Sequence, residues 1–156
     1  MLRFLRTRNY HLAEKLDELR RLEHDAAEAC RGAVELLPAD EPLTRGQLLS
    51  YLAEHEQHAA ALGGMLTKLP TVRHGNPSGV SAGAGAFEGR RGSTSILRVI
   101  RRNAELGVRK YQEVLTEAPQ ELEAVIRSHT NAWLRHRAWL TARIDAFSRT
   151  RDSHPS

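Results

Sequence analysis

One cysteine, Cys30, stands in 156 residues, so no internal disulfide holds this chain together, and the lone thiol fits a reducing compartment. Aromatic residues are only 5% of the chain, and Val, Ile and Thr are sparse beside Ala and Leu. That bias disfavours a sheet and favours helices. No run reaches the ~18 apolar residues that a membrane span needs. Met1 to Tyr10 is basic with no apolar stretch behind it, so a secretory leader is not expected. Together these absences predict a helical, cytoplasmic protein with no membrane contact. A domain of this length buries roughly two thirds of its chain surface and needs no covalent or metal staple to be stable. The net charge of +4 permits a polyanionic partner without requiring one.

What is present is helical periodicity, four times over. Leu12, Leu16, Leu19, Glu23, Ala26, Cys30, Ala33 and Leu37 step by threes and fours, as the buried face of a helix over 10–37 does. Leu48, Leu52, His55, Ala59, Leu62, Leu66 and Leu69 predict a second helix over 45–69, with Thr44 and Gln47 as a capping box. Leu97, Ile100, Ala104, Gly107 or Val108, Tyr111 and Leu115 predict a third over 93–117, capped by Ser93 or Ser95. Leu122, Ile126, His129, Trp133, His136, Leu140, Ile144 and Phe147 predict a fourth over 119–148, opening at Pro119. Pro38 and Pro70 end the first two. Short links join helices 1 and 2 and helices 3 and 4, which implies two antiparallel hairpins. A Gly-, Ser- and Ala-rich crossover (residues 70–92) joins the hairpins. A helix of ~25 residues is ~38 Å long, and the ~22 residues after Pro70, if extended, reach ~73 Å, so the crossover can run the length of a bundle. The expected plan is a basic extension over 1–9, an all-α four-helix bundle over 10–148, and a flexible tail over 149–156.

The polar residues on these apolar faces carry the functional signal. Glu23 interrupts the first, His55 the second, and His129 and His136 the fourth. Glu105 lies beside the third, next to Ala104, and His58 is one turn from His55 with Glu56 between them. Glu23, His55, His58 and Glu105 sit near the centres of their helices, and His136 is one turn from the centre of its own. In an up-and-down bundle these centres are level, so four segments converge on one layer. A buried carboxylate without a partner is very costly. These groups therefore satisfy one another as an ion-pair network, or they share a cation. Imidazole with carboxylate suits Zn, Fe, Mn or Cu.

Three segments, Leu22 to Ala26, Glu54 to His58 and Arg135 to Leu140, resemble signature segments of small bacterial ferritin-like proteins, relatives of the rubrerythrin and ferritin group. The resemblance spans roughly residues 12 to 147 and implies a ferritin-like bundle. Di-iron members of that group supply one Glu from each of helices 1 and 3 and a Glu-x-x-His pair from each of helices 2 and 4. Glu23 and Glu105 match the lone carboxylates, and His58 and His136 match the histidines. The paired Glu positions depart from the pattern, with His55 at one and Trp133 at the other. Two carboxylates and three neutral imidazoles balance one divalent ion rather than two. With these departures the expected site holds one ion, or at most two, of iron, zinc or manganese, built from Glu23, His55, His58, Glu105 and His136, with Glu56 and His129 as further candidates. The resemblance also implies an iron-, peroxide- or oxygen-related redox role. Ferritin-like bundles often pair along their sides, so a homo-oligomer is the partner it suggests.

Other classes are weaker. Arg90, Arg91, Arg98, Arg101, Arg102, Arg109 and Lys110 cluster near the start of helix 3. A metal-free scaffold using this basic face for a polyanion or partner is the alternative function. No helix-turn-helix or RNA-binding signature accompanies it, so nucleic acid is not expected. Paired core histidines can ligate haem, but the low aromatic content and the carboxylates at the same level argue against that. Cys30, Tyr51, Tyr111 and Trp139 read as packing residues. Nothing in the sequence assigns a reaction or a substrate.

Overall fold

Ala- and Leu-rich segments with one apolar face must bury that face against one another. In the computed structural model, which describes residues 2–69 and 87–152, four helices do so: α1 (Leu2–Leu36), α2 (Pro42–Leu66), α3 (Ser93–Glu117) and α4 (Gln120–Asp152). The fold is an all-α four-helix bundle. α1 already begins at Leu2, so most of the expected extension over 1–9 is helix. α4 likewise runs through to Asp152, into the expected tail. Among the described residues, no helix is long and apolar enough to cross a membrane.

The core follows the predicted faces closely. Leu16, Leu19, Leu48, Leu62, Ile96, Leu97, Tyr111, Ile126, Trp133 and Leu140 are fully buried. α1 packs on α2 and α3, and α3 packs on α4. α2 meets α4 through Glu54 with His136 and Thr44 with Arg143. The neighbouring pairs are antiparallel. Along α1 and α3, Lys15 pairs with Glu117 (2.8 Å) and Glu18 with Lys110 (3.1 Å), while Phe87 lies against Gly32. α2 returns beside α1, with Gly63 next to Arg20. The end of α2 therefore lies beside the first half of α1, and Phe87, ahead of α3, lies near the end of α1. The crossover expected between these points lies, over residues 70–86, outside the described residues.

Two helix starts differ from the sequence reading. α2 begins at Pro42, two residues before Thr44, because proline's fixed φ and missing N–H suit the first helical position. Thr44 is buried within the first turn and is not a cap; its hydroxyl donates to Glu41 Oε2 at 3.1 Å. α3 begins after Gly92, whose φ of 86° favours glycine, so neither Ser93 nor Ser95 caps it. Ser93 instead donates to Glu41 Oε1 at 2.8 Å. Arg143 donates through Nε to Thr44 Oγ1 at 2.9 Å and lies 3.8 Å from Glu41. Glu41 thus ties the starts of α2 and α3 to α4. Arg45 closes the same end by donating to the carbonyls of Val34 (2.7 Å) and Leu37 (2.9 Å) at the end of α1.

Candidate metal centre

Glu23 is the organising residue. It projects from the middle of α1 and is fully buried, so its charge must be met by donors from the other helices. All three supply them. His55 of α2 donates from Nδ1 to Oε2 at 2.6 Å. Trp133 of α4 donates from Nε1 to Oε1 at 2.8 Å, and His58 of α2 donates from Nδ1 to the same oxygen at 3.3 Å. Tyr111 of α3 completes the set with a short hydrogen bond from its hydroxyl to Oε1. Burial alone would raise the Glu23 pKa, but the hydrogen bonds from His55 and His58 outweigh it and hold the carboxyl down at about 2. Burial and the adjacent Glu23 charge push the Tyr111 phenol far up, so it keeps its proton to donate.

His129 joins from α4. Its Nδ1 lies 3.2 Å from the Tyr111 oxygen. The phenol proton is committed to Glu23, so the Nδ1 proton of His129 must point at Tyr111. Its ring stacks on that of His58 at 3.8 Å between centroids. Burial, and then the neighbouring His58, push the His129 pKa down to about 4, which keeps the imidazole neutral as metal ligation requires. One ligand atom from each of Glu23, His58 and His129 lies within 4.8 Å of the other two.

Trp133 reaches Glu23 only because α3 makes room. A Cβ built on Gly107 would stand 2.2 Å from the Trp133 ring. The indole therefore lies directly on the α3 backbone, where no other residue than glycine would let it fit.

His136 faces the other side of the layer. Its Nε2 is 3.1 Å from Glu54 Oε2, its ring lies 3.7 Å from that of Tyr51, and it meets His55 edge-on at 5.0 Å. Burial, then the neighbouring His55, push its pKa down to about 3.

The structure thus gathers Glu23, His55 and His58 as the sequence predicts, brings in His129, and sets His136 apart. Glu105 does not join them. Its side chain is 54% exposed and lies 3.7 Å from Arg101. The height along α3 is right, but one residue is ~100° around a helix, and Ala104 takes the inward position. Glu56 is also exposed, and Arg31 donates to it at 2.9 Å. The donors that sequence reasoning missed are Tyr111, read there as packing, and Trp133, read there only as standing where the resemblance places a paired Glu. Both carry an O–H or N–H that a buried ring must place on an acceptor, which is the signal that could have marked them. Cys30 is buried, and burial followed by the Glu23 charge pushes its thiol up to about 12, so it is no nucleophile. No family model, curated protein or solved structure matches the chain.

Proposed function

We propose that this bundle binds a single divalent transition-metal ion between Glu23, His58 and His129. The observation that carries this reading is the convergence of those three ligand atoms from α1, α2 and α4 within 4.8 Å of one another, at mid-height in an apolar core. One carboxylate oxygen and two imidazole nitrogens suit iron, zinc or manganese. Ligands stand ~2.1 Å from an ion, so loading draws the three atoms onto a common centre. His58 is the half-buried member and makes the longest bond to Glu23, so it has the freedom to turn. His55, Tyr111 and Trp133 keep hold of the carboxylate and orient it.

One ion beside the single Glu23 carboxylate carries a net charge of about +1, and a second divalent ion has no carboxylate left to offset it. Glu23 is the only carboxylate in the layer's interior among the described residues, since Glu54 is part-exposed and Glu105 and Glu56 face outward. When bound, iron or manganese would supply one-electron chemistry toward oxygen or peroxide, and zinc would supply Lewis acidity. The antiparallel order of the helices supports assigning the bundle to the ferritin-like kind, and the buried thiol suits the cytoplasm.

The test is metal content per chain after reconstitution with iron, manganese and zinc in turn. About one ion is expected. His58→Ala and His129→Ala should each lose it, while His136→Ala retains it. Failure of the unmodified chain to retain any of the three would defeat the proposal. A second reading rests on one observation: Glu23 already accepts four hydrogen bonds. On that reading the cluster is a metal-free structural network, and the exposed Arg90, Arg91, Arg98, Arg102 and Arg109 are the remaining functional surface.

A further inference from the structure

A small cavity of about 10 Å³ lies in the core on the far side of His55 from the carboxylate cluster. All four helices line it: Cys30 from α1, Tyr51 and His55 from α2, Asn103 from α3, Trp133 and His136 from α4. Among the described residues, two buried side-chain polar atoms have no hydrogen-bond partner, and both belong to lining residues: His136 Nδ1 and Asn103 Nδ2. Those residues are only 2% and 7% exposed. Buried polar groups without partners are rare and costly, so each calls for an explanation.

Their hydrogen-bonding character is complementary. The Glu54 carboxylate can only accept, so His136 Nε2, 3.1 Å away, carries the ring proton. A neutral imidazole protonated at Nε2 presents a bare lone pair at Nδ1, and burial keeps the ring neutral. Asn103 Nδ2 is a donor. The cavity therefore offers one acceptor and one donor, in a volume near the ~10–15 Å³ that a single water occupies by this measure. A larger ligand does not fit, and an apolar one would leave both atoms unmet.

We propose that this cavity is a binding site for one internal water, which donates to His136 Nδ1 and accepts from Asn103 Nδ2. The water extends the pair Glu54–His136 into a hydrogen-bonded row from a part-exposed carboxylate to the centre of the bundle, where His55 also lines the cavity and hydrogen-bonds Glu23. The row stands whether or not a metal occupies the other side of the layer.

The test combines two measurements on the full chain. Oxygen-17 magnetic relaxation dispersion counts long-lived internal waters, and Asn103→Leu removes the donor at nearly constant shape. The expected result is one fewer dispersing water in Asn103→Leu together with a lower melting temperature, because His136 Nδ1 then loses its bridge. A dry cavity gives the opposite sign: the apolar side chain replaces an unmet amide, stability rises and the dispersion is unchanged, and the proposal is overturned. Should Asn103→Leu not fold, a crystal structure of the unmodified protein at ~1.5 Å decides alone. Density within hydrogen-bond reach of both atoms, ~2.7–3.2 Å, supports the site, and its absence sinks it.

Discussion

Glu23 shows how one charged side chain survives full burial. Its four donors cost nothing to leave in place, but removing the acceptor strands them all. Glu23→Ala should therefore lower stability by roughly 3–5 kcal/mol, as breaking a buried charged network does, measurable by urea denaturation of metal-free protein. Acid should act on the same layer in two stages. His129 and His136 have folded pKa values of about 4 and about 3, below their ordinary 6.5, so between those limits the unfolded chain binds protons that the folded chain refuses. Their contribution is complete above pH 6.5 and is lost as pH falls toward 4 and then 3. Glu23, depressed from 4.5 to about 2, loses its own contribution only over that lower range. Melting temperature measured against pH should thus begin to fall near 6.5, with a loss on the order of a few kcal/mol by pH 4. In His136→Gln the early part of that fall should shrink. A curve flat down to pH 5 would contradict the buried, neutral state of both rings.

At the scale of the element, the contact of α3 with α4 depends on an absence, the missing side chain at Gly107. Gly107→Ala would raise intrinsic helix propensity by roughly 1 kcal/mol on an open helix. Here the new methyl meets the Trp133 ring at 2.2 Å, so the indole must shift and release Glu23. A net loss of about 1–3 kcal/mol is expected, as for other overpacked cores, with a change in Trp133 fluorescence. Neutral or improved stability would mean that the ring relocates freely. The same helix shows where sequence reading stops. Periodicity placed every helix and the level of Glu23, His55 and His58, because hydrophobic spacing is a local property of the chain. It could not place Glu105, since the exposed and buried positions of α3 are adjacent there and only packing against α1 and α4 decides between them. Nor could it anticipate Tyr111 and Trp133 as donors, because their partner is far away in the chain: 88 residues for one and 110 for the other.

At the scale of the whole molecule, two clusters of polar contacts among the described residues each join three or more helices. One is the Glu41 node at the end where α1 meets α2, and the other is the mid-height layer around Glu23. Arg143 serves the first by joining Thr44 and Glu41 and by stacking on Phe147 at 4.6 Å. Arg143→Ala should destabilise the protein by about 1–3 kcal/mol through its unmet partners while leaving metal content unchanged. Loss of metal in that variant would show that the two groups are coupled. The four-helix architecture was legible in the sequence, whereas the Glu41 node was not. Its members come from the starts of α2 and α3 and the later half of α4, and the sequence reading gave Thr44 and Ser93 to local caps.

The convergence of all four helices on one carboxylate also governs how the chain assembles. A hairpin of α1 and α2 alone can offer Glu23 only His55 and His58, and must keep the carboxylate wet. The hairpin of α3 and α4 holds Tyr111 and Trp133 with no acceptor between them. Neither half has a satisfactory interior until the other arrives, so partly docked intermediates are penalised and folding should be all-or-none. Circular dichroism, which follows every helix, and tryptophan fluorescence, which reports on α4 alone, should trace one coincident urea transition. Replacing Glu23 with a small apolar residue would relax that requirement. Cooperativity itself should then fall, and the two curves should separate even where the overall helix content is preserved.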